Sequence, residues 1–174
     1  MLSLRPMTEQ DLPLVADWLR EPHLAPWWIP DTTVEAEISD YRAHVVHGQD
    51  PATHLLTVSL DGRPVGWCQW YQWADYPPEA AAMEALPGET GIDYAIGDPA
   101  HIGHGTGTAL IAALVAEVRQ HHPGAGFLTD PDARNVASRR VLEKNGFRLV
   151  AVRPVTTEPT TDPMAIYRLP GGTP

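Results

Sequence analysis

Apolar residues recur at helical spacing in two stretches near the start of the chain. The first predicts a helix over residues 9–20, because its large apolar side chains return every three or four positions. The second predicts another helix from Val34, with an apolar face that continues to Val45. The segment between them is rich in proline and tryptophan, so we expect Trp27 and Trp28 to lie on a connecting loop.

The next apolar segments predict an antiparallel hairpin. Residues 54–60 and 64–73 are rich in Val, Leu, Trp and Tyr, and Asp61-Gly62 between them is a strong hairpin-turn signal. Three prolines and weak periodicity follow in residues 74–90. We therefore predict a long connecting loop there, with at most one helical turn inside it.

The second half of the chain alternates strands and helices. Strand patterns at residues 90–97, 126–130, 147–153 and 164–169 are separated by a glycine-rich loop and two helical patterns. Together with the hairpin, this order predicts one α/β domain over residues 1–174. We expect a mixed, mostly antiparallel sheet of six to seven strands, flanked by about four helices.

Charge and cysteine content narrow the functional classes. The chain carries 12 Lys and Arg against 22 Asp and Glu, a net charge of −10 that disfavours nucleic acid and anionic membranes and favours cationic partners. The one cysteine, Cys68, excludes a disulfide framework and is expected to be a buried, inert thiol. No histidine pair has the spacing of a metal site. No signal-peptide pattern begins the chain and no apolar stretch approaches roughly 18 residues, so we expect a cytoplasmic protein.

Three glycines between a predicted strand and a predicted helix are a candidate anion site. Gly103, Gly105 and Gly107 leave backbone N–H groups uncovered at a helix N-terminus, where the helix dipole also favours negative charge. A triphosphate-binding P-loop would need a Lys-Ser/Thr pair after the last glycine, but Thr108-Ala109 stands there. A dinucleotide fold fits less well, because it needs GxGxxG early in the chain and this loop has GxGxG after three predicted strands. The third ligand with a diphosphate is coenzyme A.

The loop also resembles that of a known family. Residues 102–107, IGHGTG, are similar to the Q/R-x-x-G-x-G/A loop of the GNAT N-acetyltransferases, although Ile102 replaces the usual Gln or Arg. Residues 135–147, NVASRRVLEKNGF, resemble the second signature of that family. The resemblance implies a GNAT fold in which splayed central strands form a cleft for acetyl-CoA, with residues 91–147 as the binding core. The residues it assigns to the donor are Ala95, Ile96, Ile102, Gly103, His104, Gly105, Thr106, Gly107, Thr108, Asn135 and Ser138.

A finer resemblance extends over nearly the whole chain. Residues 4–28, the segment DGRPVGWCQWY, and the short sequences GETGID and LTDP look like the aminoglycoside 6′-N-acetyltransferases. This implies that residues 1–50 form the acceptor side, that the acceptor is a small cationic amine, and that Asp93 and Asp130 lie beside that amine. The other residues that we assign to the acceptor are Trp27, Trp28, Tyr41, Trp73, Glu84 and Asp162.

The chemistry of amine acylation agrees with a catalytic carboxylate at Asp93. An amine attacks a thioester only as the free base, and a nearby carboxylate both binds the ammonium form and accepts its proton. Strand alternation places Asp93 on the face opposite Ile92 and Tyr94, where an isolated charge is costly unless it is used or paired. A structural pairing of Asp93 with Arg139 or Arg148 is the alternative.

The mechanism implied by the resemblance is direct attack, without an acyl-enzyme. Backbone amides near Ala95 and Ile96 would polarise the thioester carbonyl. Many GNAT members protonate the leaving thiolate with a tyrosine of the second signature, but Leu142 stands at that position. We therefore expect the thiolate to leave unassisted or with a proton from water.

Other interpretations stay open on the sequence alone. Asp130 lies in a TDPDARN context that is typical of turns and helix caps, so a structural role is its alternative. Residues 135–147 also resemble protein N-terminal acetyltransferases, and the WL…WW pattern near the N-terminus resembles siderophore-pathway acyltransferases. A non-catalytic acyl-CoA-binding module is a third alternative, because of Leu142. The sequence leaves a monomer and a homodimer equally open.

Overall fold

One mixed seven-stranded sheet forms the centre of the molecule in the computed structural model, which describes residues 1–48, 50–157 and 161–172. In chain order the strands are β1 (Leu2–Pro6), β2 (His54–Leu60), β3 (Arg63–Gln72), β4 (Glu89–Ile96), β5 (Gly126–Thr129), β6 (Arg148–Arg153) and β7 (Met164–Leu169). Their order across the sheet is β1-β2-β3-β4-β5-β7-β6, with β4 and β5 parallel and the other neighbours antiparallel. The predicted mixed sheet is confirmed, and β1 is the seventh strand.

Six α-helices flank this sheet in the described part of the chain, rather than about four. They are α1 (Leu12–Leu19), α2 (Ala25–Trp28), α3 (Val34–His47), α4 (Pro77–Met83), α5 (Thr106–His121) and α6 (Val136–Lys144). The additional two, α2 and α4, each carry a proline in the first helical positions, where its missing N–H has no intrahelical partner to lose. Prolines that indicated loops therefore begin short helices. The prediction that Trp27 and Trp28 lie on a loop is wrong, because both belong to α2.

The predicted hairpin between β2 and β3 is confirmed. Asp61 and Gly62 adopt φ of 50° and 79°, so both occupy the left-handed region that a tight two-residue hairpin turn requires. Leu60 pairs with Arg63 across the turn. The strand register is then continuous until a shift between Val58 and Ser59.

Helices cover both faces of the sheet, and the side-chain alternation of β3 distributes residues between them. Trp67 is fully buried against α1 and α3, where its ring stacks on that of Trp18 at a centroid distance of 6.0 Å. Its neighbour Cys68 points to the opposite face, in the cluster with α5. The expected burial of Cys68 is confirmed, and burial raises the pKa of its thiol, which disfavours the reactive thiolate. None of the helices in the described ranges is long and apolar enough to cross a membrane.

A buried carboxylate connects β1 to the start of α1. Asp11 is 8% exposed and accepts hydrogen bonds from Arg5 at 2.6 and 2.8 Å and from the Thr8 amide at 2.8 Å. These donors hold the pKa of Asp11 well below its usual range, the Arg5 hydrogen bond contributing most. A carboxyl with a depressed folded-state pKa stabilises the fold above its unfolded pKa of about 3.9, and this stabilisation is lost as the pH falls through the folded-state value.

Asp11→Asn should therefore lower the free energy of unfolding by about 1–3 kcal/mol at pH 7, since it removes the charge-assisted hydrogen bonds between Arg5 and Asp11. The loss is limited because the Arg5 side chain is partly exposed and water can solvate it. The difference between variant and parent should shrink as the pH falls below about 4. Urea unfolding at pH 7 and pH 3 measures both effects. Glu9→Gln, which removes an exposed partner of Arg42 near the same helix, is the control and should change stability little. An equal Asp11→Asn effect at both pH values would contradict this assignment.

Candidate active site

Strands β4 and β5 separate soon after they begin, and this opens a cleft. Their register pairs are Glu89 with Gly126 and Thr90 with Phe127. Farther along, the Thr129 hydroxyl still donates to the Ile92 carbonyl at 2.9 Å. A cavity of about 670 Å³ then opens between β4, the glycine loop and α6, and also touches α2 and α3. The predicted splayed central strands are confirmed.

The glycine loop leads directly into α5, as its sequence predicted. Gly103 and Gly105 have φ of 79° and 83°, and a Cβ added at either would meet no atom within 4 Å. Gly105 is the N-cap residue of α5, and among the described residues no side chain caps this helix end. A Cβ on Gly107 would lie 3.3 Å from the Val141 side chain, so this glycine allows close packing of α5 on α6. The first-turn amides thus point toward the cleft without a side-chain acceptor, which suits a diphosphate.

Backbone groups along β4 divide between its two edges. The Gly97 amide donates to the Val65 carbonyl at 2.9 Å, and the Ala95 carbonyl also faces β3, where it would clash with a Cβ on Gly66. Both N–H and C=O of a strand residue point to one edge, and successive residues alternate. The amides of Tyr94 and Ile96 therefore face the cleft. Ala95 lines the cleft, but its amide points to β3, so the prediction of a polarising amide is retained for Ile96 and not for Ala95.

Asp93 lies on the face of β4 opposite Ile92, as the alternation predicted. Ile92 packs with α5 and α6, whereas the Asp93 carboxylate accepts a hydrogen bond from Gln69 Nε2 at 2.8 Å. Gln69 is its register partner on β3. The alternative partner, Arg139, donates instead to the Tyr167 hydroxyl at 3.1 Å and to the Ala133 carbonyl at 3.0 Å.

A second, smaller cavity meets the cleft at the two predicted carboxylates. Its volume is about 320 Å³, and Gln69, Asp93 and Asp130 line both cavities. Three aromatic rings and one further acid also line it, namely Tyr71, Trp73, Tyr76 and Glu79, together with Thr53, Met83, Val155 and Thr157. Trp73 is nearly buried and donates from Nε1 to the Leu128 carbonyl at 3.1 Å. The two carboxylates thus lie at the junction of a long cleft and an aromatic pocket.

Helices α2 and α3 supply the other wall of the cleft. The Tyr41 hydroxyl accepts from Trp28 Nε1 at 2.8 Å and from Trp67 Nε1 at 3.2 Å, and burial raises its pKa. Trp28 Nε1 also donates to Glu37 at 3.1 Å. Trp27 is 38% exposed at the rim. The structure therefore brings Trp27, Trp28 and Tyr41 to the cleft, although Trp28 and Tyr41 also belong to the core network.

Of the two other residues predicted to contact the acceptor, Asp162 lies at the cleft and Glu84 does not. Asp162 lines the cleft and accepts a hydrogen bond from Arg134 at 2.6 Å. Glu84 terminates α4 in a left-handed conformation and pairs with Arg153 at 3.3 Å. It is not among the described residues that line either cavity, so its assignment to the acceptor is not supported. Glu79, five residues earlier, is the acid of α4 that does line the smaller cavity.

The first turn of α6 faces β4 across the cleft. Asn135 caps this helix, its side-chain oxygen accepting from the Ser138 amide at 3.1 Å. The Ser138 hydroxyl lies 2.6 Å from the Tyr94 hydroxyl, which comes from β4. Leu142, one turn farther along α6, is fully buried in the core.

A family model described as Acetyltransferase (GNAT) domain matches residues 7–154. The chain belongs to the GNAT acetyltransferases. Two relatives are similar to it over nearly its whole length. Aminoglycoside N(6′)-acetyltransferase type 1 of Klebsiella pneumoniae is 30% identical over 168 residues, which is 95% of this chain and 81% of the relative. Lysine N-acyltransferase MbtK of Mycobacterium tuberculosis is 30% identical over 170 residues, which is 96% of this chain and 76% of the relative.

Solved GNAT structures agree with the fold and with the donor. A crystal structure of aminoglycoside acetyltransferase AAC(6′)-Ib in complex with coenzyme A has a TM-score of 0.77 and is 27% identical, covering 98% of this chain and 95% of that chain. A structure of AAC(6′)-Ib with paromomycin and acetyl-CoA is equally similar, with a TM-score of 0.77. Like these relatives, this GNAT protein is an acetyl-CoA-dependent N-acetyltransferase, and acetyl-CoA is its co-substrate.

Several residues of the GNAT cleft were missed by sequence reasoning. His23 lies between α1 and α2 and is 2.9 Å from the Ile96 carbonyl through Nε2. Arg140 and Lys144 on α6 line the cleft together with Ile102, where the family pattern has a polar residue. Gln69 carried no motif, and only the register of β3 against β4 would have found it.

Proposed function

We propose that the chain transfers an acetyl group from acetyl-CoA to a primary amine of a small cationic acceptor, most specifically the 6′-amine of an aminoglycoside. The observation that carries this proposal is the position of Asp93 and Asp130, both at the junction of the donor cleft and the aromatic pocket. The similarity to aminoglycoside N(6′)-acetyltransferase type 1 over 95% of the chain supports the acceptor class. The net charge of −10 favours a polycation.

On the donor side, the glycine loop and α5 hold the diphosphate. The backbone amides of residues 103–108 would surround its oxygens, and the positive end of α5 adds to the attraction. Arg140 and Lys144 line the same cleft and supply positive side-chain charge near the loop, where Ile102 supplies none. Asn135 and Ser138 hold the first turn of α6 against the arm of the donor.

On the acceptor side, Asp93 binds the ammonium group and accepts its proton. The hydrogen bond from Gln69 of β3 fixes the orientation of the Asp93 carboxylate, which faces the junction of the two cavities. Asp130 adds a second negative charge, and Tyr71 and Tyr76 offer aromatic faces to a ring or a cation. The free amine then attacks the thioester carbonyl directly. The Ile96 amide, which faces the cleft, stabilises the charge that develops on the carbonyl oxygen.

We also propose that residues 1–174 act as one acyltransferase unit. Residues 1–50 contribute α2 and α3 to the acceptor side, whereas residues 91–147 contribute β4, the glycine loop and α6 to the donor side. Both parts line one cleft. A small cationic amine is the proposed partner, with no nucleic acid and no membrane.

A slender aliphatic amine or hydroxylamine is the second candidate acceptor. The pocket beyond Asp93 and Asp130 is only about 320 Å³ and has tyrosines on its wall, and this small volume favours a linear chain over several linked sugar rings. Lysine N-acyltransferase MbtK is 30% identical to this chain, the same percentage as the aminoglycoside enzyme. An N-hydroxyputrescine acetyltransferase of Acinetobacter baumannii is also similar, at 26% identity over 71% of the chain.

Acetyl-CoA turnover with a defined acceptor panel tests the proposal. Coenzyme A release is followed with a thiol reagent, which reads little background because Cys68 is buried. We expect release with kanamycin-type aminoglycosides and none with peptides. An aminoglycoside that carries a hydroxyl in place of the 6′-amine is the matched control and should be inactive. Release with lysine, diamines or hydroxylamines alone would overturn the aminoglycoside assignment in favour of the second candidate.

A further inference from the structure

The cleft contains a tyrosine hydroxyl that comes from β4 and not from α6, the helix of the second signature. Leu142 stands at the second-signature position where many members have a tyrosine, and its side chain is fully buried in the core, away from the cleft lining. Tyr94 of β4 lines the cleft instead. Its hydroxyl reaches across to α6 and lies 2.6 Å from the Ser138 hydroxyl and 3.3 Å from the Ser138 carbonyl.

Tyr94 lies at the right position along the cleft for contact with the reacting sulfur. Next to the glycine loop, Ile96 and Val141 approach Gly107. Two residues back along β4 stands Tyr94, and the next residue is Asp93, the proposed partner of the amine. A donor whose diphosphate lies at the loop and whose thioester lies beside Asp93 must therefore pass Tyr94 close to its reactive end.

We propose that Tyr94, held by Ser138, donates a proton to the thiolate of coenzyme A as it leaves. This inference rests on the proposed use of the cleft, with the thioester beside Asp93. It replaces the expectation of unassisted departure, and it assigns to β4 a function that other members place on the helix.

The step balances without any further reactant. The amine nitrogen forms a bond to the carbonyl carbon, the carbon–sulfur bond breaks, and the electron pair of that bond stays on sulfur. The proton lost by the amine goes to Asp93, and the sulfur takes the proton of the Tyr94 hydroxyl. Tyr94 regains its proton from solvent in a concerted relay over the Ser138 hydroxyl, and Asp93 releases to solvent each proton that it takes from the nitrogen, so that both side chains return to their starting states. The products are the acetamide and coenzyme A with a free thiol.

The environment of Tyr94 keeps its proton available. Burial raises the pKa of Tyr94, with smaller upward contributions from the charges of Asp93 and Tyr167, while the Ser138 hydrogen bond opposes them. The phenol is therefore protonated near neutral pH, and the Ser138 hydrogen bond offsets part of the acidity that burial removes. A protonated donor next to a developing anion in a sheltered site is strongly stabilising.

Tyr94→Phe tests the assignment, because it removes one oxygen and keeps the ring. We expect kcat to fall about 100-fold while the Kd for coenzyme A stays within about twofold. A second readout needs no acceptor, namely the pKa of the thiol of bound coenzyme A, followed by the ultraviolet absorbance of the thiolate. The variant should raise this pKa by about one unit, since a hydrogen bond to the anion is lost.

Two further variants separate a chemical from a structural role. Ser138→Ala keeps the phenol and should lower kcat less than Tyr94→Phe. Tyr167→Phe removes a phenol that binds Glu143 and Arg139 outside the cleft, and should leave the bound-thiol pKa unchanged. An unchanged thiol pKa in Tyr94→Phe, with coenzyme A still bound, would overturn the proposal. If no acceptor is turned over, the proposed acceptor fails, whereas the thiol titration still decides the role of Tyr94.

Discussion

Asp93→Asn is expected to lower kcat about 100-fold, because the amide keeps the shape of the side chain but neither holds an ammonium group nor accepts its proton. The Gln69 hydrogen bond at 2.8 Å can be retained by the amide oxygen, so the fold should survive. The Kd for coenzyme A should change little, since residue 93 is not part of the glycine loop or α5. Steady-state kinetics and calorimetry with coenzyme A measure the two quantities separately.

The control for Asp93→Asn is Asp75→Asn, which removes the same charge from an exposed position outside both cavities. It should leave kcat unchanged. In Asp93→Asn the residual rate should rise with pH more steeply than in the parent, because the amine must then lose its proton to solvent. A variant with normal kcat and a raised KM would assign Asp93 to binding alone, and full activity would show that the acceptor side is misplaced.

Gly105→Val should weaken coenzyme A binding by about 100-fold or more. Gly105 has φ of 83°, a conformation that costs an L-residue about 1–2 kcal/mol, and a branched side chain there would occupy the space in front of the α5 amides. The loss of even one charge-assisted hydrogen bond adds about 1.5–3 kcal/mol, and each 1.4 kcal/mol is about a factor of ten. Calorimetry with coenzyme A measures the effect directly.

Gly48→Val provides the matched control for backbone strain. Gly48 has φ of 62° at the end of α3, and a Cβ there also meets no atom within 4 Å. This variant should lose a comparable amount of thermal stability while keeping its affinity for coenzyme A. If the two variants bind coenzyme A equally well, the glycine loop does not hold the diphosphate.

Hydrophobic periodicity alone was sufficient to predict the helices and strands that bury one continuous face. The β2–β3 hairpin, α3 and α5 follow from it, because alternation and a three-to-four-residue repeat are imposed by the sheet and by the helix. The short helices α2 and α4 did not follow. Their prolines carry the same signal whether they break a chain or begin a helix, and only tertiary contacts decide between the two. The packing of Trp28 on Trp67, at a centroid distance of 4.9 Å, is such a contact.

The residues of the candidate site also differ in how far the sequence could predict them. The positions of the glycine loop and Asp93 at the cleft could be predicted, because their residue types are tied to a local motif or to strand alternation. Gln69 and the direction of the Ala95 amide depend on which strand pairs with β4 and in what register, which the sequence does not encode locally. Tyr94 was assigned only a face of β4, and its approach to Ser138 requires the packing of α6 against that face. The sequence did not separate Glu84, the C-cap of α4, from Glu79, which lies five residues earlier and lines the smaller cavity.

The edge of β4 that faces the cleft also fixes the spacing of the hydrogen-bond donors that an acyl donor meets. The amides of Tyr94 and Ile96 are two residues apart, a repeat of about 6.7 Å along a strand. An extended arm that uses both must present acceptors at that spacing, whatever group it carries at its end. The edge of β4 therefore recognises the arm that carries the acyl group. The pocket beyond it limits the length of the acyl chain that is transferred, so the two properties can change independently.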